Sequence, residues 1–548
     1  MSASILSSQE KEKKQPVVYA TEADIGSLND NASDSGDEYF DHLHHERTLS
    51  KALNSRHLGM ITLVGVFGTG LFLSSGGTLA NAGPVGILLA YLVVGLVVGA
   101  NQMCITECAC FMPVTSGYVR HSEHFVDEAL GFMMGWTDIY SSCIPNELSA
   151  AAVVVQYWTD LSPAIFITIF AIACIATNAY NVRWYGEIEF VFGILKLTLI
   201  VILIVTGLVI DLGGTGDRIG FRYWKDPGPF VEKYTTGSLG HFAGFWKALS
   251  SVVYAYAGVQ AIGLLSGEAE HPRRAIFRAA KRVFYRVFTL YLLTVFVLTL
   301  IVPSNNETIA SPNGTAAASP FVVAMQGQVK VLPHYINAIV CTSAFSAGNL
   351  NIIKASRTLF ALAAKGQAPK IFLKVNKHGL PWVGVTFACA FIPLAYMSVS
   401  SGSDTVFSWF QNITSSNTLL NWILISVNHI GMMRAFKAQG YSRELLPYKF
   451  KGTVFASWFS LFFSVLFLLT GGFTNFIHGQ FDFGSFFGAY FIIPFSIILY
   501  GGYKIIKRTK FQDPKKVDLK SIFKDIELYP EPEYPKLKGW ELITLIWA

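Results

Sequence analysis

Charged side chains are scarce in this chain of 548 residues. Asp, Glu, Lys and Arg together make up 14% of the sequence, whereas 52% of the residues are hydrophobic. Soluble domains usually have about a quarter of their residues charged, so the composition excludes an ordinary soluble protein and indicates a polytopic membrane protein. The net charge of +6 does not indicate a nucleic-acid partner, because the basic residues cluster beside apolar stretches and report membrane topology.

Motifs for covalent or metal chemistry are also missing. The seven cysteines lie in or beside apolar stretches, and the close group Cys104, Cys108 and Cys110 lacks a second cluster of metal ligands. The sequence contains no phosphate-binding GxxxxGK[ST] loop and no nucleophile constellation. We therefore expect no metal, no cofactor, no direct use of ATP and no enzymatic activity.

Long apolar stretches fill residues 51–504, the expected membrane domain. Twelve of them have the length that an α-helix needs to cross a bilayer. They lie near 58–79, 84–104, 129–157, 163–180, 188–212, 242–267, 283–303, 332–363, 382–400, 405–431, 454–474 and 484–503. The expected fold is an all-α polytopic membrane protein with about twelve transmembrane helices.

The loops between the stretches differ in charge. Three of them are rich in lysine and arginine, and with twelve helices they lie on the same side as both termini. The positive-inside rule then places residues 1–50 and 505–548 in the cytoplasm. On the predicted outer side, the 304–330 loop has glycosylation sequons at Asn306 and Asn313.

Residues 1–50 form a polar tail that is acidic in its second half and is expected to be disordered. Its serines and lysines, Lys11, Lys13 and Lys14, have two interpretations. They are either modification sites through which ubiquitin ligase machinery controls turnover, or parts of a solvated tail.

Glycine interrupts two of the apolar stretches. The first carries GVFGTG at 65–70, and the sixth carries Gly258, Gly263 and Gly267. Glycine is a poor helix former, and irregular backbone at membrane depth is tolerated only where it faces protein or a polar cavity. Breaks in the first and sixth helices are typical of a five-plus-five inverted repeat, here followed by two C-terminal helices. Close helix packing is the alternative explanation for the glycines.

Several motifs accompany these breaks. The chain contains GTGLF at 68–72, GFRYWKDPGPF at 220–230 and ASRTLFALAAKGQAPK at 355–370. From roughly residue 50 to 520 it resembles the fungal amino acid permeases of the yeast amino acid transporter family, in the amino acid–polyamine–organocation superfamily. The proline and dicarboxylic amino acid permeases are the subgroup that it resembles most. The resemblance implies proton-driven amino acid import across the plasma membrane, with alternating access to a mid-membrane site.

On that resemblance, a substrate zwitterion would lie between the two breaks. Amides at the start of the first half-helix would bind its carboxylate, and carbonyls at both breaks would meet its amino group. An aromatic lid formed by the two tyrosines beside the second break is a further hypothesis, although aromatics pack generically in such bundles. The residues expected to bind substrate are Val64, Gly68, Thr69, Gly70, Glu147, Tyr254, Tyr256, Ala257, Gly258 and Gln260.

Ionisable residues inside the apolar stretches are further candidates for function. Lys196 matches the lysine that proton-coupled relatives have where sodium-coupled ones bind an ion, so the resemblance makes it the proton-coupling residue. The alternative is a lysine that snorkels to the interface. Glu147 could line the substrate pocket, join a proton relay or form a structural ion pair. Asp138, nine residues earlier, should face the other way and need a different partner.

Other positions leave their role open. Gln260 stands where many of the resembled permeases have glutamate, which puts the usual coupling or charge preference in doubt. Glu268 and Glu270 form either a gate or a solvated loop with the nearby arginines. Lys354 is expected to anchor its helix at the interface.

The expected function is secondary active import of amino acids by proton symport. A non-transporting or dual-role amino acid sensor (a transceptor) on the same fold is the alternative. A channel would need a continuous polar pore lining, which no stretch offers. The side chain of the substrate stays open between proline, acidic and broad neutral amino acids, with polyamines also to be considered.

Overall fold

All regular secondary structure is helical in the part of the chain that the computed structural model describes. It describes residues 65, 67–114, 116–179, 182–214, 216–264, 272–310, 319–325, 331–376, 379–528 and 530. Helices satisfy their own backbone hydrogen bonds, which lipid cannot do for them. The expectations for residues 1–50, Val64, Glu268, Glu270 and Asn313 lie outside the described residues.

The helices follow the predicted apolar stretches, and each of the twelve stretches contains helix. In chain order they are α1 (Thr69–Phe72), α2 (Ser74–Phe111), α3 (Gly117–Phe125), α4 (Glu128–Ser142), α5 (Asn146–Val155), α6 (Pro163–Ala179), α7 (Val182–Asp211), α8 (Arg222–Lys225), α9 (Gly237–Ala255), α10 (Ala261–Leu264), α11 (Pro272–Ile301), α12 (Glu307–Ala310), α13 (Pro320–Met325), α14 (Leu332–Ala364), α15 (Trp382–Cys389), α16 (Met397–Ser401), α17 (Ser403–Ala438), α18 (Thr453–Thr470), α19 (Phe483–Tyr490), α20 (Ile492–Lys507) and α21 (Lys520–Leu528).

Six spans within the described residues are long and apolar enough to cross a membrane by themselves. The bent pair α19–α20 would make a seventh. The expected all-α polytopic membrane fold is therefore confirmed. Other predicted stretches fall short of this test. Some are short or broken, as between α4 and α5 and between α9 and α10, whereas α17 is long and unbroken but less apolar. The inverted repeat stays a prediction.

The first and second stretches meet inside α2, which consists of two helices joined at Gly83. Gly83 has a φ of +77°, a conformation that glycine adopts without strain. A Cβ at this position would also lie 2.8 Å from the backbone Cα of Phe230. The glycine therefore permits both the change of direction and the close approach of a loop.

Both predicted breaks are present, and they touch. α1 begins at Thr69 after an extended Gly68. α9 ends at Ala255, and the turn that follows contains Gly258 with a φ of +103°. A Cβ built on Gly70 would lie only 2.5 Å from the Cα of Ala255. The glycines of the first break thus serve close packing, the alternative raised above, as well as unwinding.

The chain after α20 packs back onto the helical body. Asp525 of α21 forms an ion pair with Arg273 at the start of α11, at 2.6 Å. The ring of Phe523 contacts the rings of Phe111 and Phe436. The first part of the predicted C-terminal tail, 505–548, is therefore ordered structure held by apolar and charged contacts.

We predict that Gly70→Ala destabilises the fold. The added methyl group would overlap the backbone of Ala255, which moves only if α9 moves. Overlaps of this kind cost about 1–3 kcal/mol. The melting temperature of the purified protein in detergent should therefore fall by several degrees.

Gly77→Ala is the matched control for this measurement. Gly77 is an exposed helical glycine, and a Cβ there would meet nothing within 4 Å. Alanine has the higher helix propensity, by about 1 kcal/mol, so this variant should melt no lower than the wild type. Equal melting temperatures for the two variants would contradict the close contact of the breaks.

Candidate functional site

A cavity of about 80 Å³ lies beside the two helix breaks. Its walls come from α1, the 256–260 turn, the α4–α5 junction, α14 and α17. Eight residues predicted to bind substrate line it: Gly68, Thr69, Gly70, Glu147, Tyr254, Ala257, Gly258 and Gln260. The structure thus brings most of the predicted site together, although their role in binding stays a prediction.

Glu147 joins three helices at this cavity. The hydroxyl of Thr69 in α1 donates to its Oε2 at 3.0 Å, and the hydroxyl of Tyr254 in α9 donates to its Oε1 at 3.0 Å. The amide of Asn146 also donates to Oε1, at 3.2 Å. Every hydrogen-bond partner that Glu147 has among the described residues is neutral. The carboxylate is therefore placed to meet a cationic group of a ligand.

The position of Glu147 follows from a break in the third stretch that the sequence reasoning did not predict. α4 ends at Ser142 and α5 begins at Asn146, with Pro145 between them. Proline has no backbone N–H and so interrupts a helix. Glu147 consequently lies in the first turn of α5, where the helix dipole favours a negative charge.

Asp138 forms a second buried cluster beside the cavity. It pairs with Lys354 of α14, and it accepts hydrogen bonds from the hydroxyl of Tyr118 at 2.6 Å and the amide of Asn421 at 3.0 Å. Asp138 and Glu147 therefore have different partners, as expected. The interface-anchoring role expected for Lys354 is wrong, because its ammonium group reaches a fully buried carboxylate and its side chain lines the cavity.

Lys196 is fully buried in α7 and does not line the cavity. Its Nζ donates to the hydroxyl of Ser346 at 3.1 Å, and this hydroxyl donates to Oε2 of Glu189 at 2.5 Å. One turn earlier in α14, Ser343 donates to the carbonyl of Phe67 in the first break, at 3.1 Å. The burial of Lys196 excludes the snorkelling alternative. Its partner Ser346 lies one helical turn of α14 from Ser343, the residue that contacts the first break.

Tyr256 does not lie over the cavity, as a lid would have to. Its side chain is fully buried, its ring packs against Tyr91 and Tyr291, and its hydroxyl donates to the Tyr91 carbonyl at 3.3 Å. Among the described residues it is not part of the cavity lining. Of the two predicted lid tyrosines, Tyr254 alone lines the cavity.

Glu107 belongs to a separate cluster. It accepts hydrogen bonds from Arg443 at 2.5 Å and Thr453 at 2.6 Å, and it contacts the imidazole of His429 at 3.0 Å. Through these partners Glu107 in α2 is linked to α17, to the segment before α18 and to the start of α18, which gives it a structural role. The described residues contain no His, Cys, Asp or Glu group suited to a metal ion.

Sequence reasoning missed several polar residues of the cavity wall. Three of them, Thr414, Asn417 and Thr418, recur at helical spacing within α17. Polar residues spaced by three or four along an apolar stretch share one helix face, so this signal could have been read. The wall also includes the following residues, none of which was predicted to bind substrate: Gly65, Tyr118, Ser141, Ser142, Asn146, Ala255, Ala261, Ala347, Leu350, Asn351 and Lys354.

A helical membrane bundle with a polar cavity at paired helix breaks is typical of a transporter of small solutes. The chain matches the family described as amino acid permease over residues 57–516. It belongs to that family, and it is a multi-pass membrane permease that transports amino acids and not an enzyme.

Curated relatives cover most of the chain. A dicarboxylic amino acid permease of Saccharomyces cerevisiae is 40% identical, with 87% of this chain and 80% of the relative aligned. A proline-specific permease of Emericella nidulans is 35% identical, over 85% and 86%. A lysine-specific permease of S. cerevisiae is 34% identical, over 90% and 82%.

A solved structure of a manganese transporter from Eremococcus coleocola is similar over 82% of this chain and 94% of its own. The TM-score is 0.49 and the identity 11%. At that level we draw no conclusion from the likeness.

We predict that Thr69→Val weakens substrate binding. Its hydroxyl lies between Glu147 and the Tyr254 hydroxyl, at 3.0 and 2.8 Å, and valine keeps the shape without the hydrogen bonds. Loss of a hydrogen bond to a charged group costs about 1.5–3 kcal/mol, so KM for amino acid uptake should rise roughly tenfold or more. Thr69→Ser should stay close to the wild type.

Thr78→Val is the control. Among the described residues the Thr78 hydroxyl bonds only the Ser74 carbonyl of its own helix, at 2.7 Å, and Thr78 lies outside the cavity lining. It should leave KM unchanged. A similar KM in Thr69→Val and Thr78→Val would argue against a substrate site at Thr69.

Proposed function

We propose that the protein imports amino acids together with protons across the plasma membrane, by alternating access to the cavity at the two breaks. One observation carries the proposal. The buried lysine Lys196 contacts Ser346, on the helix α14 that also bonds the first break through Ser343. A change of charge at Lys196 would thus act through α14 on the backbone of the first break, which is proposed to bind substrate.

The cavity supplies opposite charges for the two ends of a zwitterion. Backbone amides at the start of α1, from Gly68 to Gly70, face an anionic group favourably because a helix N-terminus carries partial positive charge. The carboxylate of Glu147 lines the same cavity, its hydrogen-bond partners among the described residues are neutral, and it would hold the amino group. These two groups would bind the common core of all amino acids and leave the side chain to the remaining wall.

Proton coupling is assigned to Lys196. Ionisable residues inside membrane bundles often form proton relays, so a lysine in this position is suited to gain and lose a proton during a cycle. Glu189 shares the Ser346 hydroxyl with it and is a fitting acceptor. The charge held at Gln260 in many resembled permeases is then not required for coupling here.

The setting of this cycle is also part of the proposal. Both termini, 1–50 and 505–548, would face the cytoplasm around the membrane domain 51–504, and the tails would present lysines to ubiquitin ligase machinery. The relatives are named as permeases, which does not favour the sensor alternative.

The proposal is tested by uptake in permease-deficient cells. A labelled panel with proline, glutamate, alanine and lysine is measured at acidic and neutral external pH, with and without a protonophore. The wild type should concentrate substrate, faster at acidic pH, and the protonophore should abolish accumulation. Lys196→Ala should equilibrate substrate without concentrating it, because proton movement is no longer linked to transport.

Lys247→Ala is the matched control, since Lys247 also lies in a membrane helix, α9, but outside the cavity lining. It should accumulate substrate like the wild type. Accumulation by Lys196→Ala at the wild-type level would remove Lys196 from coupling. Uptake insensitive to both pH and protonophore would refute proton symport.

A further inference from the structure

One wall of the cavity would not contact the amino and carboxylate groups that all amino acids share. Beyond Glu147 and the breaks, its lining includes Ser142, Asn351, Asn417 and Lys354. These side chains are polar, and one of them is a cation inside a membrane bundle. Intramembrane charge is costly and usually serves a function.

The ammonium group of Lys354 has hydrogen-bonding capacity left for a ligand. An ammonium has three N–H donors, and Asp138 is its one ion-pair partner among the described residues. Asp138 in turn accepts hydrogen bonds from Tyr118 at 2.6 Å and Asn421 at 3.0 Å. The carboxylate of Asp138 therefore stays hydrogen-bonded when Lys354 also binds a second anion.

A second polar group points to a ligand at the same wall. The hydroxyl of Ser142 is buried, with 6% of the residue exposed, and has no hydrogen-bond partner among the described residues. Buried polar groups are nearly always hydrogen-bonded, and leaving one unpaired costs about 1–3 kcal/mol. Ser142 lines the cavity, where a ligand oxygen can accept its proton.

We propose that this wall is a side-chain subsite that selects amino acids with a carboxylate side chain, through the ammonium group of Lys354 and the hydroxyl of Ser142. The inference rests on the proposed function, because it names the wall that binds the substrate's side chain while the zwitterionic core of the substrate lies at the breaks. It gives the permease acidic amino acids as its preferred substrate class.

Other side chains fit this wall less well. A cationic side chain would place a second positive charge beside Lys354. A proline ring or an alkyl side chain would leave Lys354 and Ser142 facing apolar atoms, and sites with polar groups reject ligands that leave those groups unpaired. A neutral amide has the shape of the acid without its charge, so glutamine is the sharpest comparison with glutamate.

The test measures kcat/KM for glutamate and glutamine in cells, for the wild type and for Lys354→Met. The wild type should prefer glutamate, and the variant should lose at least about tenfold of the glutamate-to-glutamine ratio, as expected for a charged hydrogen bond. The ratio is independent of the amount of protein at the cell surface.

Two further variants keep the result interpretable. Lys354→Met alone leaves Asp138 buried without its cation, which is strongly destabilising, whereas removing both charges is often neutral. The double variant Asp138→Asn/Lys354→Met should therefore reach the surface and show the same loss of ratio. Lys365→Met, at the end of the same helix and outside the cavity lining, should keep the wild-type ratio.

The outcomes separate the two proposals. Import of neutral amino acids by the wild type without import of glutamate or aspartate would overturn the subsite and leave the proposed function intact. So would an unchanged ratio in the double variant. Failure to import any amino acid, with the protein at the surface, would overturn the proposed function and the subsite with it.

Discussion

The structure of the site depends on one buried carboxylate. Glu147 accepts hydrogen bonds from Thr69 at the first break and from Tyr254 beside the second, so a single acid holds both interrupted helices against α5. These side-chain hydrogen bonds hold the two broken helix ends beside each other at the cavity. The contact of Gly70 with Ala255 acts in the same place through packing. The cavity exists because these contacts fix the broken ends beside each other.

Around this junction the bundle sorts its charges inward and its apolar surface outward. Lys196, Asp138 and Glu147 are buried among hydrogen-bonding partners, whereas Phe455 and Ile498 are 75% and 69% exposed. In water that arrangement would be unfavourable, but lipid removes the penalty on apolar exposure and raises it on charge. Each of these three buried charges has a hydrogen-bonding or ion-pair partner among the described residues.

Sequence reasoning reached the fold further than the site. The length of an apolar stretch and the spacing of its glycines are local features of the sequence. The helices and the two breaks could be predicted because they follow from these local features. The pairings depend on packing between distant segments: Thr69 and Tyr254 are 185 residues apart, and Asn417 and Asp138 are 279 apart. Nothing local shows that Lys354 turns inward to Asp138, so its sequence context predicts an interface anchor. The Pro145 break was visible, but its effect on Glu147 required the third dimension.

The cluster of Lys354 with Asp138 and the cluster of Lys196 with Glu189 meet on one helix, α14. α14 carries both Lys354, on the cavity wall, and Ser346, the partner of Lys196, little more than two turns apart. A helix is stiff along its axis, so a shift of α14 caused by ligand at Lys354 would also move Ser346 and the Ser343 bond to Phe67. Under the proposed function, substrate and proton would both act on this one rigid element. Coupling in this arrangement requires no direct contact between the carried proton and the amino acid, only a helix that both of them bias.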